Sequence, residues 1–145
     1  MALLPTAGGV SSPRTTVRPL IRQIQRVLTP DLLLPKWRKL ALRSGHPLYG
    51  HCYAASEAAY HLLGGSKYWQ SCVLSHRSWP KGMKLGRTHW FIRNKKTRAV
   101  IDPTRGQFSI SVDYSCGVSC AFLTKQPSRR AQIIIARMKS ANPKL

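Results

Sequence analysis

The stretch Tyr49 to Gly65, YGHCYAASEAAYHLLGG, constrains the fold more than any other part of the sequence. It reads as a buried helix over about Cys52–Leu63, stopped by Gly64-Gly65 in the usual C-terminal role of glycine. The helix opens on a cysteine. A cysteine that only fills a core can stand anywhere on an apolar face. One that must ionise gains from a helix start, where unsatisfied backbone N–H groups and the macrodipole favour negative charge.

The rest of the chain arranges itself around this helix. A first helix is expected from Pro19 to Leu28, with proline in the first turn and Leu20, Ile21, Ile24, Val27 and Leu28 on one face. Arg22 and Arg26 then fall on the opposite, wet side. Thr29-Pro30-Asp31 ends it and opens a short second helix, and PKWRKLALRSGHP is a basic, partly helical connector. After the central helix, KYWQSCVLSHR reads as a strand, SWPKGMKLG as a loop, RTHWFIRN as a second strand, KKTR as a turn and AVIDPT as a third strand. GQFSISVDYSCGVSCAFLT is irregular. Ser128 is an N-cap for a closing helix with Ala131, Ile134, Ile135 and Met138 on one face. The expected architecture is α+β: a central helix on a small antiparallel sheet, flanked by N- and C-terminal helices. Residues 1–18 form a flexible basic lead, 19–140 a single domain and 141–145 a tail.

The second and third strands carry polar groups that suit a cysteine nucleophile. Alternation puts His89, Phe91 and Arg93 on one face of the second strand and Trp90 and Ile92 on the other. Asp102 ends the next strand, so a hairpin brings the two neighbourhoods together. A carboxylate there accepts the second N–H of the imidazole and fixes its tautomer, which is the nucleophile, base and orienter logic of a triad.

Cys52 opening a helix, His89-Trp90 on a strand and Asp102-Pro103-Thr104 ending the next resemble the core of the papain-like and transglutaminase-like cysteine enzymes. The short spacing is nearer the transglutaminase-like arrangement. The longer string GHCYAASEAAYHLLGG…HWFIR…IDPTRGQF…PSRRAQ also resembles small uncharacterised proteins of phage and bacterial genomes. The first resemblance implies a Cys52–His89–Asp102 triad in a thiol-dependent acyl-transfer enzyme, a peptidase- or amidase-like hydrolase acting on an amide, isopeptide or ester bond. Papain-like enzymes place an oxyanion glutamine shortly before the cysteine. Here His46, Tyr49 and His51 stand in that region, with His46 and Tyr49 the stronger candidates. Trp90 and Gln107 are cleft candidates, although each also has a plain reading, Trp90 as core and Gln107 as a turn hydrogen bond. Glu57 reads as a solvated side chain or a partner for an arginine, and His51 and His61 as surface or satisfied histidines.

Twenty-four Lys and Arg against four acids, Asp31, Glu57, Asp102 and Asp113, leave a formal charge of +20 on 145 residues. Such a surface attracts polyanions. The competing reading is therefore a non-catalytic, basic nucleic-acid-binding protein, phage-encoded, with Arg22, Arg26, Arg129 and Arg130 on phosphates. The four cysteines, without a secretory segment ahead of them, are expected as reduced thiols of a cytoplasmic monomer. Organellar import of the acid-free N-terminus is a minority alternative. Cys116 and Cys120 without a second matching pair are expected as semi-buried thiols, with no metal and no cofactor. No apolar run is long enough to span a membrane.

Overall fold

The computed structural model describes residues 13–75 and 88–142. They form a mixed α+β arrangement of helices and one antiparallel sheet. The expected loop SWPKGMKLG and most of the N-terminal lead lie outside the described residues. No helix among the described residues is long and apolar enough to cross a membrane.

Helix α1 runs Pro13–Val27, beginning earlier than the expected Pro19. Pro19 lies inside it and removes one rung of its hydrogen-bond ladder. Val17 packs against the core, which ties down the added turn. The expected face is correct: Leu20, Ile24 and Leu28 are buried, while Arg22 and Arg26 are exposed. A short 3-10 turn at Pro30–Leu32 leads to α2, Pro35–Ser44, which closes on Gly45 at φ 69°. Glycine takes this left-handed conformation without a Cβ penalty.

Helix α3, Cys52–Leu62, is the centre of the molecule. Ala54, Ala55, Ala58 and Ala59 are at most 1% exposed, so the helix is enclosed rather than amphipathic. It packs on α1, on the closing helix α4 (Arg129–Ala141) and on the sheet. Ile24, Ile92, Ile134 and Met138 complete this main core.

The sheet contains β1 (Trp69–Ser75), β2 (Thr88–Asn94), β3 (Val100–Ile101) and β4 (Val118–Ser119), ordered β3-β2-β1-β4. The β2–β3 turn is built on Asn94, whose side-chain oxygen accepts from Lys96 N and Thr97 N, and on Arg98 at φ 66°. The third strand is shorter than AVIDPT suggests: only Val100 and Ile101 pair, opposite Arg93 and Ile92. Strand β4 is an addition within the segment expected to be irregular, and it pairs with Cys72 and Val73.

In the β1–β2 register Leu74 faces His89 and Cys72 faces Phe91, so these four side chains share a face. That face holds a second, smaller core of Cys72, Leu74 and Phe91, covered by Val112 and Tyr114 from the later segment. Trp90 and Ile92 point to the helical side. The sheet thus separates two apolar layers, and His89 lies on the smaller one.

Ser128 caps α4 as its sequence suggests, accepting from Ala131 N at 3.3 Å. Glu57 overturns its expected solvated role. It is fully buried, and its carboxylate accepts from Ser128 N at 2.9 Å and Ser128 Oγ at 2.5 Å. Two aimed donors offset the desolvation of a buried carboxylate. The bond fastens the middle of α3 to the start of α4.

Candidate active site

The residue before the nucleophile candidate sets the local chemistry of the helix start. His51 occupies the N-cap position, and its side chain caps none of the first-turn amides of α3. Cys52 is half-buried at that end.

His89, the second residue of β2, is 2% exposed. Its Nε2 lies 2.6 Å from Asp102 Oδ2, the strand-end carboxylate expected to orient it. The Cys52 side chain is also hydrogen-bonded to the ring. With Nε2 engaged by Asp102, Nδ1 is the nitrogen left for the sulfur. Burial works against charge on the imidazole. The hydrogen bonds from Asp102 and Cys52, together with their negative charge, outweigh it and push His89 up from 6.5 to about 9. At neutral pH the ring is therefore an imidazolium between a carboxylate and a sulfur. The edge of Phe108 packs against it at 4.7 Å between centroids.

Asp102 is held by the turn that follows it. Its Oδ1 accepts from Thr104 N at 3.1 Å and Thr104 Oγ1 at 3.4 Å. Gln107 in turn donates Nε2–H to Thr104 Oγ1 at 3.0 Å. Gln107 thus braces the Asp turn, in line with its plain reading. Tyr114, which no sequence pattern singles out, donates its hydroxyl to Asp102 Oδ2 at 2.7 Å. Burial and the adjacent Asp102 charge raise its pKa, so the phenol stays protonated.

The upstream candidates divide. His46 Nδ1 accepts from Leu48 N at 3.2 Å, which puts the proton of the neutral ring on Nε2. Tyr49 is half-buried. His51, ranked below both, is 2% exposed and is not a surface histidine. Burial, helped by the nearby Arg130 charge and opposed by Asp31, pulls it down to about 4, so it is neutral beside Cys52. His46 and His51 share the wall of a cleft of about 240 Å³ with Leu33, Leu42, Gly45 and Pro47. A larger hollow of about 550 Å³ is lined by Ile133, Ala136 and Arg137 of α4, and neither it nor the smaller cleft is lined by Cys52, His89 or Asp102.

Trp90 stands on the opposite face from His89, as alternation requires. It stacks on Phe122 at 5.5 Å and meets the edge of Tyr53 at 4.8 Å. Tyr53 Oη accepts from Leu123 N at 2.8 Å, and Leu123 is 88% exposed. His61 is half-buried, and its Nε2 is enclosed with no hydrogen-bond partner among the described residues, contrary to the surface or satisfied reading. Arg129 is exposed and Arg130 half-buried at the start of α4.

Cys72 is buried, Cys120 half-buried and Cys116 exposed, with its thiol 3.5 Å from Asp113 Oδ2. Burial pushes the Cys72 thiol up, away from ionisation. Among the described residues no three His, Cys, Asp or Glu side chains cluster to hold a metal ion. No family model, curated protein or solved structure matches this chain.

Proposed function

We propose that the chain is a thiol-dependent acyl-transfer enzyme with a papain- or transglutaminase-like core, acting as an amidase- or peptidase-like hydrolase. The observation that carries this reading is geometric: the His89 ring is hydrogen-bonded to the Cys52 side chain and lies 2.6 Å from the Asp102 carboxylate, which together push its pKa up. A positive ring beside a thiol favours the thiolate, the reactive form. The thiolate attacks a substrate carbonyl carbon, forming the S–C bond and placing the electron pair on oxygen. Collapse breaks the C–N or C–O bond, and His89 gives its proton to the departing amine or alcohol. Water then enters with His89 as base, the thioester breaks, and the acid leaves with Cys52 restored. Asp102 keeps the ring oriented throughout. The oxyanion needs aimed donors. The backbone amide of Cys52 is one candidate, and His46 and Tyr49 are the upstream candidates for the second.

The test is competitive alkylation with iodoacetamide near pH 6.5, read by peptide mass spectrometry. Cys52 should react well ahead of Cys72, Cys116 and Cys120, and His89→Ala should remove that lead. Equal labelling of Cys52 and the exposed Cys116 in the native protein would refute a primed nucleophile.

A second property, contact with nucleic acid, is favoured by how the acids are used. Asp31 pairs with Arg137 at 2.9 Å, Glu57 is taken by Ser128, Asp102 by His89 and Asp113 by Ser115. Among the described residues Arg137 is thus the one Lys or Arg in an ion pair with an acid. The exposed Arg22 and Arg26 lie on a helix whose apolar face is already buried, which disfavours insertion into a bilayer and leaves a phosphate backbone as the fitting partner. Binding to a labelled duplex should fall steeply with salt. The double variant Arg22→Ala, Arg26→Ala should flatten the log–log slope by about 2, and Cys52→Ser should leave it unchanged. An unaltered slope in the double variant would remove α1 from the contact.

A further inference from the structure

Asp102 is bonded to more than the histidine it orients. Oδ2 receives both His89 Nε2 at 2.6 Å and Tyr114 Oη at 2.7 Å, while Oδ1 receives Thr104 N and Oγ1. An ionised carboxylate has about four lone-pair sites, and four donors fill them here. Three of those donors come from the strand and turn that any such hairpin provides. Tyr114 comes from elsewhere, the short turn Tyr114–Cys116 in a segment with little regular structure.

That segment is strapped to the sheet by β2 itself. Arg93, 8% exposed and on the same face of β2 as His89, donates Nη2–H to the Tyr114 carbonyl at 2.6 Å and Nη1–H to the Gly117 carbonyl at 3.5 Å. Phe91 lies between them on that face, and the edge of its ring meets the Tyr114 ring at 5.0 Å. Gly117 crosses Phe91 so closely that a Cβ there would sit 2.3 Å from Cζ. One strand therefore carries the imidazole and, two and four residues on, the two side chains that hold the tyrosine.

We propose that Tyr114 is a positioning residue of this site: its hydroxyl, placed by Arg93, Phe91 and Gly117, fixes the Asp102 carboxylate so that His89 presents Nδ1 to Cys52. The inference rests on the acyl-transfer reading of the same site. The phenol is a donor throughout the neutral range, because burial and Asp102 keep it protonated despite the opposing Arg105 charge. Among the described residues Cys52 and Asp102 are ionisable groups acting on His89, and Asp102, Arg105 and Arg93 act on or are bonded to Tyr114.

The experiment titrates the His89 imidazole by nitrogen NMR in the full chain, alongside thermal melting and Cys52 alkylation. Tyr114→Phe keeps the ring on Phe91 and removes only the hydroxyl. Asp102 then loses one of two donors on the oxygen that binds His89, becomes the better acceptor, and the His89 midpoint rises by about one pH unit. A purely structural tyrosine would lower the melting temperature and leave the midpoint where it was, and that result overturns the inference. A ring-fluorinated tyrosine in place of Tyr114, a stronger donor, should move the midpoint down, and it provides the test if the phenylalanine variant does not fold. An unmoved midpoint with Cys52 still alkylated first defeats the inference alone. A moved midpoint with no preference for Cys52 defeats the acyl-transfer reading instead.

Discussion

Asp102→Asn is the most informative single change, because the His89 charge depends on it. Asparagine keeps the size of the side chain and one acceptor oxygen, so Tyr114 and Thr104 retain part of their anchorage. It removes the negative charge and the strongest interaction favouring the imidazolium. In the native protein the ring titrates at about 9 against 6.5 when unfolded, a displacement of about 2.5 pH units. At 1.36 kcal/mol per unit, this corresponds to about 3 kcal/mol of preference for the charged ring. His89 is 2% exposed, so solvent screening takes little of that away. The sign follows from a pKa that is raised on folding. The contribution is fully present below pH 6.5 and is lost as pH rises through about 9. Urea unfolding at pH 6 and pH 9.5 should therefore show native stability falling by about 3 kcal/mol across that window from this group. In Asp102→Asn the largest influence raising the pKa is gone while burial still lowers it, so the ring should titrate about two pH units lower and most of that slope should vanish. The difference between the two curves isolates the pair, since the other thiols and the amino terminus titrate in both proteins. A variant whose His89 still titrates near 9, or a native ring that titrates near 6.5, would refute the reasoning.

Glu57→Ala leaves Ser128 N–H buried without its acceptor and opens a hole in α3, so it should cost about 3 kcal/mol in urea unfolding. Ser128→Ala removes both the cap of α4 and one donor to Glu57. Its cost should lie near the upper end for a cap, about 2 kcal/mol. Gly117→Ala forces a methyl into the Phe91 ring and should destabilise by about 2 kcal/mol, with part recovered by adding Phe91→Leu. The same change should loosen Tyr114 and move the His89 titration in the direction of Tyr114→Phe.

The parts of the fold that can be read from the sequence are those written in local pattern. The central helix shows as an apolar run between a cysteine and a glycine pair, and the closing helix as a serine before a periodic face. His89 and Asp102 can be paired on paper because a short hairpin and strict alternation leave little freedom in where they point. What stays hidden depends on partners far along the chain. Glu57 looks like a solvated acid because its donors lie at Ser128, 71 residues later. Tyr114 belongs to no periodic stretch, and a phenol on a carboxylate leaves no spacing behind; the scarcity of acids around Asp102 is the one hint that it must be heavily bonded. Strand β4 is two residues long and held by β1, so no propensity could announce it. The early start of α1 is likewise hidden, because Pro19 mimics a first-turn residue.

The bond between Glu57 and Ser128 also bears on when the central helix can be enclosed. As the chain leaves the ribosome, Cys52 and Glu57 emerge long before the serine whose N–H and hydroxyl the acid accepts. Until then a carboxyl group would have to be enclosed without its hydrogen-bond partner, and the central helix has reason to remain in water. Cys52, at the head of that helix, should thus reach its place beside His89 only after residue 128 has been made, a delay written into the order of the chain.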